Sequence, residues 1–461
     1  MFGGVGKAGW AAILVTGGLM LGTSISAQAA DLGGDCCADL EERVAELEAT
    51  TARKGNRKVK LEIYGQVNEA VMFWDDGYER NAYVVTNDAS RTRVGFKGGA
   101  KINDDWSANF KIEIGIRSAN SKRSNQNDPL GTGNPAVQFD VRHAWWNLKS
   151  KTYGTFQVGH TPTATEEITE ANLAGTSAVG KYSDVEDSGL GMRLRASNNP
   201  ALSGVQWRNL IRQTGDQPGE GERRQAVYYI SPEFAGFTAS AGWGADDSWD
   251  AGLRYEGEFN GFKIEAGIAY GENTDSSSDD SAFFGCIADN VAGASSADCE
   301  QIGGSISVLH EPSGLYTNFA AGSSKDNTVL QSAIFAGKNA DDESTFWAME
   351  AGIHKKWLDL GPTTIFAQYY QMDGGANERQ AVGGADAINP GIGAAHIFSS
   401  ELDMWGVGVA QDIKAANIKL YALFRHYEAG VVLTQDAGAA IVASDPLKDL
   451  DVLMTGAIIK F

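Results

Sequence analysis

The sequence predicts an all-β fold, an antiparallel barrel that crosses a membrane with strands, on three observations. The stretch FKIEIGI (Phe110–Ile116) recurs as FKIEAGI (Phe262–Ile268), with Phe and Ile on one parity and Lys, Glu and Gly on the other. A strand built this way is apolar on one face and ionic on the other, whereas a helix buries neither face cleanly. Past residue 30 no stretch approaches the roughly 20 apolar residues of a spanning helix, and the mean hydropathy is −0.25. Short links also take turns with long ones. A soluble sandwich has no reason to gather every long loop on one edge, whereas a barrel with tight turns at one rim and long loops at the other is the outer-membrane pattern. Backbone groups in lipid must be paired within the protein, so a closed sheet is the only sheet that fits.

The chain is expected in three parts. Residues 1–29 hold one base, Lys7, an apolar run from Ala11 to Leu21 and small residues ending Ala27-Gln28-Ala29. This is the pattern of a secretory signal peptide. Its removal takes the formal charge from −21 to −22, since Lys7 is its only charged residue. That balance argues against nucleic acid or anionic lipid as the main partner. Residues 30–58 carry Leu40, Val44 and Leu47 at four-then-three spacing, which fits either a short coiled coil or a solvated tether.

Residues 59–461 read as strand after strand. In order they are 59–74, 90–100, 106–118, 137–148, 153–160, 189–197, 205–211, 226–231, 237–244, 249–259, 262–271, 303–310, 315–322, 345–357, 363–372, 401–413, 418–428 and 450–461, eighteen in all. Short links such as 103–104, 232–236, 260–261, 313–314 and 414–417 contrast with long ones at 272–302, 373–400 and 429–448. Trp74, Trp106, Trp145, Trp243, Trp249, Trp357, Tyr153 and Tyr427 stand near strand ends, where an interfacial girdle belongs. In FKIEIGI, Phe110 and the isoleucines then face acyl chains, while Lys111, Glu113 and Gly115 face water inside.

Cysteine is sparse. Cys286 and Cys299 share one Asp-, Ser- and Gly-rich segment and are expected to close that loop in an oxidising compartment. Adjacent Cys36 and Cys37 are left unpaired or joined to another subunit. Enzyme readings fail: Ser177 in GTSAVG lacks the G-x-S-x-G spacing, and the six histidines form no HExxH-type run, so neither cofactor nor built metal site is expected. The acidic run 275–280 could hold divalent cations loosely against lipopolysaccharide, or simply solubilise a loop.

The segment CCADLEERVAELEATTARKGNRKVKLEIYGQVNEAVMFWDDG (Cys36–Gly77), with SRTRVGFKG (Ser90–Gly98) and the terminal IIKF, resembles the alphaproteobacterial outer-membrane porin family. The resemblance implies a homotrimeric, passive diffusion channel of sixteen strands in the outer membrane, open to small hydrophilic solutes, with its third loop folded into the lumen. The eighteen segments read above leave sixteen or eighteen open. Terminal Phe461, with Ile459, Ala457 and Leu453 on its parity, resembles the signal read by the barrel assembly machinery. A substrate-specific channel for sugars or anions, and a surface adhesin, are the alternatives.

By the same resemblance, 161–188 is the inward loop. It carries Glu166, Glu167, Glu170, Asp184, Glu186 and Asp187 against one base, Lys181. An eyelet selects by its radius and by its lining charges. Facing it, bases are expected on lumen parity: Arg91, Arg93, Lys111, Arg142 and Arg193, with Arg117 and Arg195 alternating alike. Opposed walls would set a transverse field. Against this stand a solvated surface loop, and bases that serve only as wall ion pairs.

Overall fold

The computed structural model describes residues 59–131, 138–211, 217–244, 247–274, 298–382, 387–389, 395–435 and 441–461. The expected signal peptide and the whole of the 30–58 segment, with Cys36 and Cys37, lie outside them, as do Cys286 and the 275–280 run.

Alternating residues from Lys60 onward form nineteen strands in one sheet. They are β1 (Lys60–Asp75), β2 (Arg80–Thr86), β3 (Arg93–Lys101), β4 (Trp106–Ile116), β5 (Phe139–Ser150), β6 (Gly154–Thr161), β7 (Arg224–Ile230), β8 (Phe237–Gly244), β9 (Ser248–Phe259) and β10 (Phe262–Asn273). The series continues as β11 (Cys299–His310), β12 (Leu315–Asp326), β13 (Glu343–Leu358), β14 (Gly361–Gly374), β15 (Asn377–Val382), β16 (Ala395–Ile413), β17 (Ile418–Gln435), β18 (Ile441–Ala443) and β19 (Leu450–Lys460). Neighbours pair antiparallel all round. β1 meets β19 from Gln66↔Lys460 to Asp75↔Asp451, which closes the barrel. Gly65 and Phe461 exchange backbone hydrogen bonds at the seam, both 3.0 Å.

Sixteen strands make the wall. β2 and β3 pair successive halves of β1 and together count as one, while β15 and β18 only extend β16 and β17 beyond it. Of the eighteen segments read from the sequence, 189–197 and 205–211 are not strands. The second contains a short helix, Trp207–Ile211. Both lie in the connection between β6 and β7, and their apolar side chains bury inside the barrel instead of facing lipid. Leu190, Met192, Leu194, Val205 and Trp207 join one core with inward-facing Met72, Leu402, Met404, Val452 and Met454. A Cβ at Gly191 would run into the backbone of Arg123 and Ser124 at 2.5–2.7 Å, so this arm packs against the 117–138 loop with no room to spare.

The rims differ as expected. Turns at 102–105, 151–153, 231–236, 260–261, 311–314, 359–360 and 414–417 share one rim with both barrel ends, and the long connections share the other. Two connections on the long-loop rim, 76–79 and 245–247, are short. At the Asn260-Gly261 hairpin both residues have positive φ, 49° and 80°, the geometry of the two-residue turn whose twist matches its strands. The outer face is apolar: Ile112 is 46% exposed while neighbouring Glu113 is 2% exposed. Trp106, Trp243, Trp249, Trp357 and Tyr153 face outward, and Trp106 stacks on Tyr153 at 6.3 Å. Trp74 and Tyr427, expected in the girdle, point inward and are buried, and Trp145 shares the inward parity of buried His143 and Asn147.

Candidate functional site

The connection 162–223 turns into the barrel because the inner wall offers it hydrogen-bond partners in sequence order. The Thr165 N–H and hydroxyl donate to Asp250 on β9 at 3.0 and 2.9 Å. The N–H groups of Ala171 and Leu173 donate to Ser305 and Ser307 Oγ on β11, both at 3.0 Å. Thr176 Oγ1 donates to Glu350 on β13 at 2.6 Å. Gln368 Nε2 on β14 donates to the Gly180 carbonyl at 2.9 Å, Arg425 on β17 to that of Lys181 at 2.5 Å, and Tyr427 to that of Ser188 at 3.1 Å. Each bond satisfies a backbone or side-chain group buried in the lumen, so the loop follows the wall as a ledge. Glu350 is the strongest of these anchors: fully buried, it also accepts from Tyr316, Asn318 and Gln368 at 2.9, 3.1 and 2.7 Å.

The opposite wall is shaped by two irregularities. Between β2 and β3 the chain leaves the sheet as a single 3-10 turn, Asp88–Ser90, capped by Asn87. Gln66 and Asn68 of β1 hold this turn inward by donating to the Ser90 carbonyl at 2.7 and 3.0 Å. Asp88 and Arg91 thereby enter the lumen, where Arg117 meets Asp88 and Arg91 meets Asp140, both at 2.6 Å. In β5 the register with β4 slips between Glu113↔His143 and Ile114↔Val141. The extra residue is Arg142, and this bulge lets both Arg142 and His143 face inward. Below them Glu113 gathers Arg142 at 2.8 Å, the Tyr64 hydroxyl at 2.8 Å, and Arg93 and Lys111 at 3.5 Å each.

Ledge and wall enclose a cavity of about 630 Å³. Its lining is charged on all sides, with ten carboxylates and nine Lys or Arg. Cross-links bind the two signs: Arg223 pairs with Glu166 and with Glu167 at 3.4 Å, and Lys181 with Glu170 at 2.6 Å and Asp184 at 3.1 Å. Burial lifts the Glu166 carboxyl to about 7 in spite of the Arg223 guanidinium beside it. Burial likewise raises Asp187 and Glu220, against the pull of nearby lysines.

Among the acids read from the sequence, Glu166, Glu167, Glu170, Asp184 and Asp187 line the cavity, while Glu186 lies behind it against Lys122. Among the bases, Arg91, Arg93 and Arg142 line it. Lys111 sits outside, held by Glu113 and 5.8 Å from the Tyr64 ring. Arg193 is not on the wall at all. It belongs to the inward arm and donates to the Ser203 carbonyl at 3.1 Å. Sequence reasoning passed over Arg223, Arg254, Lys122, Arg123, Glu220 and Glu222. The signal in the sequence is the run Glu220-Gly221-Glu222-Arg223-Arg224, which lies beyond Ser188, the end of the expected inward loop. Cys299 is disulfide-bonded. The described residues contain no group of three or more His, Cys, Asp or Glu placed to hold a metal.

A profile of Gram-negative porins matches residues 12–440. Outer membrane porin N of Escherichia coli (strain K12) is 26% identical over 235 residues, which is 43% of this chain. The match spans 58% of that relative's length. Among solved structures, the anion-selective porin from Comamonas acidovorans has the same fold at a TM-score of 0.53 and 14% identity, over 87% of this chain and all of that one. The Salmonella typhi OmpF complex with daunomycin gives 0.49 at 14% identity, over 88% and 98%.

Proposed function

The chain belongs to the Gram-negative porin family, and from that premise we propose that it forms a passive, water-filled channel across the outer membrane for small hydrophilic solutes and ions. One observation carries the reading: a charged cavity lies inside a closed barrel whose outer face is apolar. The short-turn rim then faces the periplasm and the long loops face outward. The ledge carboxylates Glu166, Glu167, Glu170, Asp184 and Asp187 form one side of the constriction, and Arg91, Arg93 and Arg142 the other. Glu113 and Asp88 keep those guanidiniums extended, so a dipolar solute orients as it passes. The family and the barrel fold support a non-enzymatic channel.

Residues 1–29 are a signal peptide, 30–58 a periplasmic segment and 59–461 the barrel. Cys286 and Cys299 form one disulfide, and Phe461 addresses the chain to the assembly machinery. The protein is a homotrimer among lipopolysaccharide, of the alphaproteobacterial branch that Cys36–Gly77 resembles. Liposome swelling tests the channel. Neutral sugars of increasing mass should enter at rates that fall with size and do not saturate. No swelling, or saturable uptake of one sugar, would overturn diffusion as the mechanism.

A further inference from the structure

The ledge carries six acids, and the passage meets one of them. Glu167 has its side chain 58% exposed, whereas Glu166, Glu170, Asp184, Glu186 and Asp187 are each 8% exposed or less. Its ion-pair partner is Arg223 at 3.4 Å, and that guanidinium lies closer to Glu166, so the Glu167 carboxylate keeps room for a second partner. The chain accepts an uncommon backbone to place it there. Glu167 has a φ of 54°, in the left-handed region that side chains seldom adopt. Of the five described non-glycine residues with positive φ, three are asparagines, which suit that region, and Ala235 stands in a hairpin turn; Glu167 is the only charged one.

Such a backbone persists only where its surroundings fix it, and here the wall does so. Arg254 of β9 donates from Nη2 to the carbonyls of Ala164 and Glu166, at 3.3 and 2.7 Å, immediately before the turn. The Glu167 N–H donates to Glu220 at 3.2 Å. Gly267, opposite Arg254 on β10, makes the close approach possible: a Cβ there would stand 2.7 Å from Ile168 Cδ1 and 3.5 Å from Arg254 Cγ. Arg254 lines the cavity, yet it makes no salt bridge with any described residue. Arg91, Arg93, Arg142, Lys181 and Arg223 all face carboxylates, whereas this guanidinium is committed to backbone.

We infer that Arg254 is a positioning residue of the constriction: by gripping the two carbonyls it sets the turn that holds Glu167 out in the passage, where the carboxylate meets the ammonium groups of passing solutes. An ammonium supplies the charge-assisted hydrogen bonds that a loosely paired carboxylate accepts. The other ledge acids act on solutes only through their field. The inference rests on the channel reading given above.

Reversal potentials across a planar bilayer, under a gradient of methylammonium chloride, test it on the full chain. Glu167→Gln should move the potential toward anions, and Glu170→Gln less than half as far. Arg254→Met removes a positive charge, which by itself moves the potential toward cations. Loss of the grip on Glu167 should move it toward anions instead, and in the Glu167→Gln background that shift toward anions should vanish. Should Arg254→Met fail to insert, Arg254→Lys keeps the charge on a shorter stem without the planar fork, so a shift toward anions is again expected. A shift toward cations for Arg254→Met, none for Arg254→Lys, the same shift with and without Glu167, or an equal effect of Glu170→Gln would each overturn the inference. A native protein that inserts without conductance would overturn the channel reading along with it, whereas wrong shifts in a conducting channel overturn the inference alone.

Discussion

Glu113 shows how much of this protein rests on single side chains. It is 2% exposed and holds Arg142, Arg93, Lys111 and Tyr64 together. Replacing it by Gln leaves three bases without their shared anion, and should cost about 1–3 kcal/mol. The urea midpoint should fall, and the reversal potential should move toward anions. The ledge carboxylates predict a pH response. With the Glu166 carboxyl lifted to about 7, lowering the pH from 8 to 5 adds its proton and removes negative charge from one wall. Reversal potentials under a KCl gradient should therefore shift toward anions over that range, and Glu166→Gln should flatten the shift. Linkage carries the matching sign. Between about 4.5 and 7 the folded state binds the extra proton, so this group's contribution to stability falls as pH rises through that window. The sequence disclosed the lumen parity of Arg93, on β3, because period-2 alternation sorts side chains by face. It hid the role of Glu113, because a shared anion is defined by three strands meeting and not by any local pattern.

At the scale of the element, strand faces were legible and the inward arm was not. Lys111 and Ile112 are neighbours in sequence and opposite in environment, so Ile112→Arg should destabilise the barrel by about 2–4 kcal/mol near mid-bilayer. Lys111→Gln should leave folding nearly unchanged; equal losses of folded yield would mean the parity is inverted. The arm at 189–211 alternates as strands do, and its sequence reads as two of them. The missing clue lay in its partners: Met72, Leu402, Met404, Val452 and Met454 are apolar on lumen parity, which makes sense only if something apolar fills that side of the barrel. The Arg142 bulge and the Asp88–Ser90 break were equally silent, since each depends on pairing with a neighbouring strand. Glu350 predicts how the ledge is held. Glu350→Ala removes the acceptor for Thr176, Tyr316, Asn318 and Gln368. Open-channel current noise should rise while the barrel still folds, and unchanged noise would place the ledge's hold elsewhere.

For the whole molecule the decisive balance is between a nearly neutral passage and an acidic exterior. The cavity lining has ten carboxylates and nine bases, whereas the chain as a whole carries −21. On the proposed reading, selectivity inside should be weak above the pH at which Glu166, Asp187 and Glu220 ionise, and acidic loops should enrich cations at the mouth over roughly 8 Å at about 0.15 M salt. The account predicts a modest cation preference that fades as salt rises. Its central claim, diffusion through the gap between ledge and wall, is tested most directly by single-channel conductance in a planar bilayer, on the native protein and on Ser177→Trp. Ser177 of the ledge lines the cavity and is half-buried. The native channel should open in ohmic steps that grow with salt concentration, and the indole should cut each step several-fold without lowering the number of insertions. Insertion without conductance, or steps unchanged by Ser177→Trp, would contradict the account.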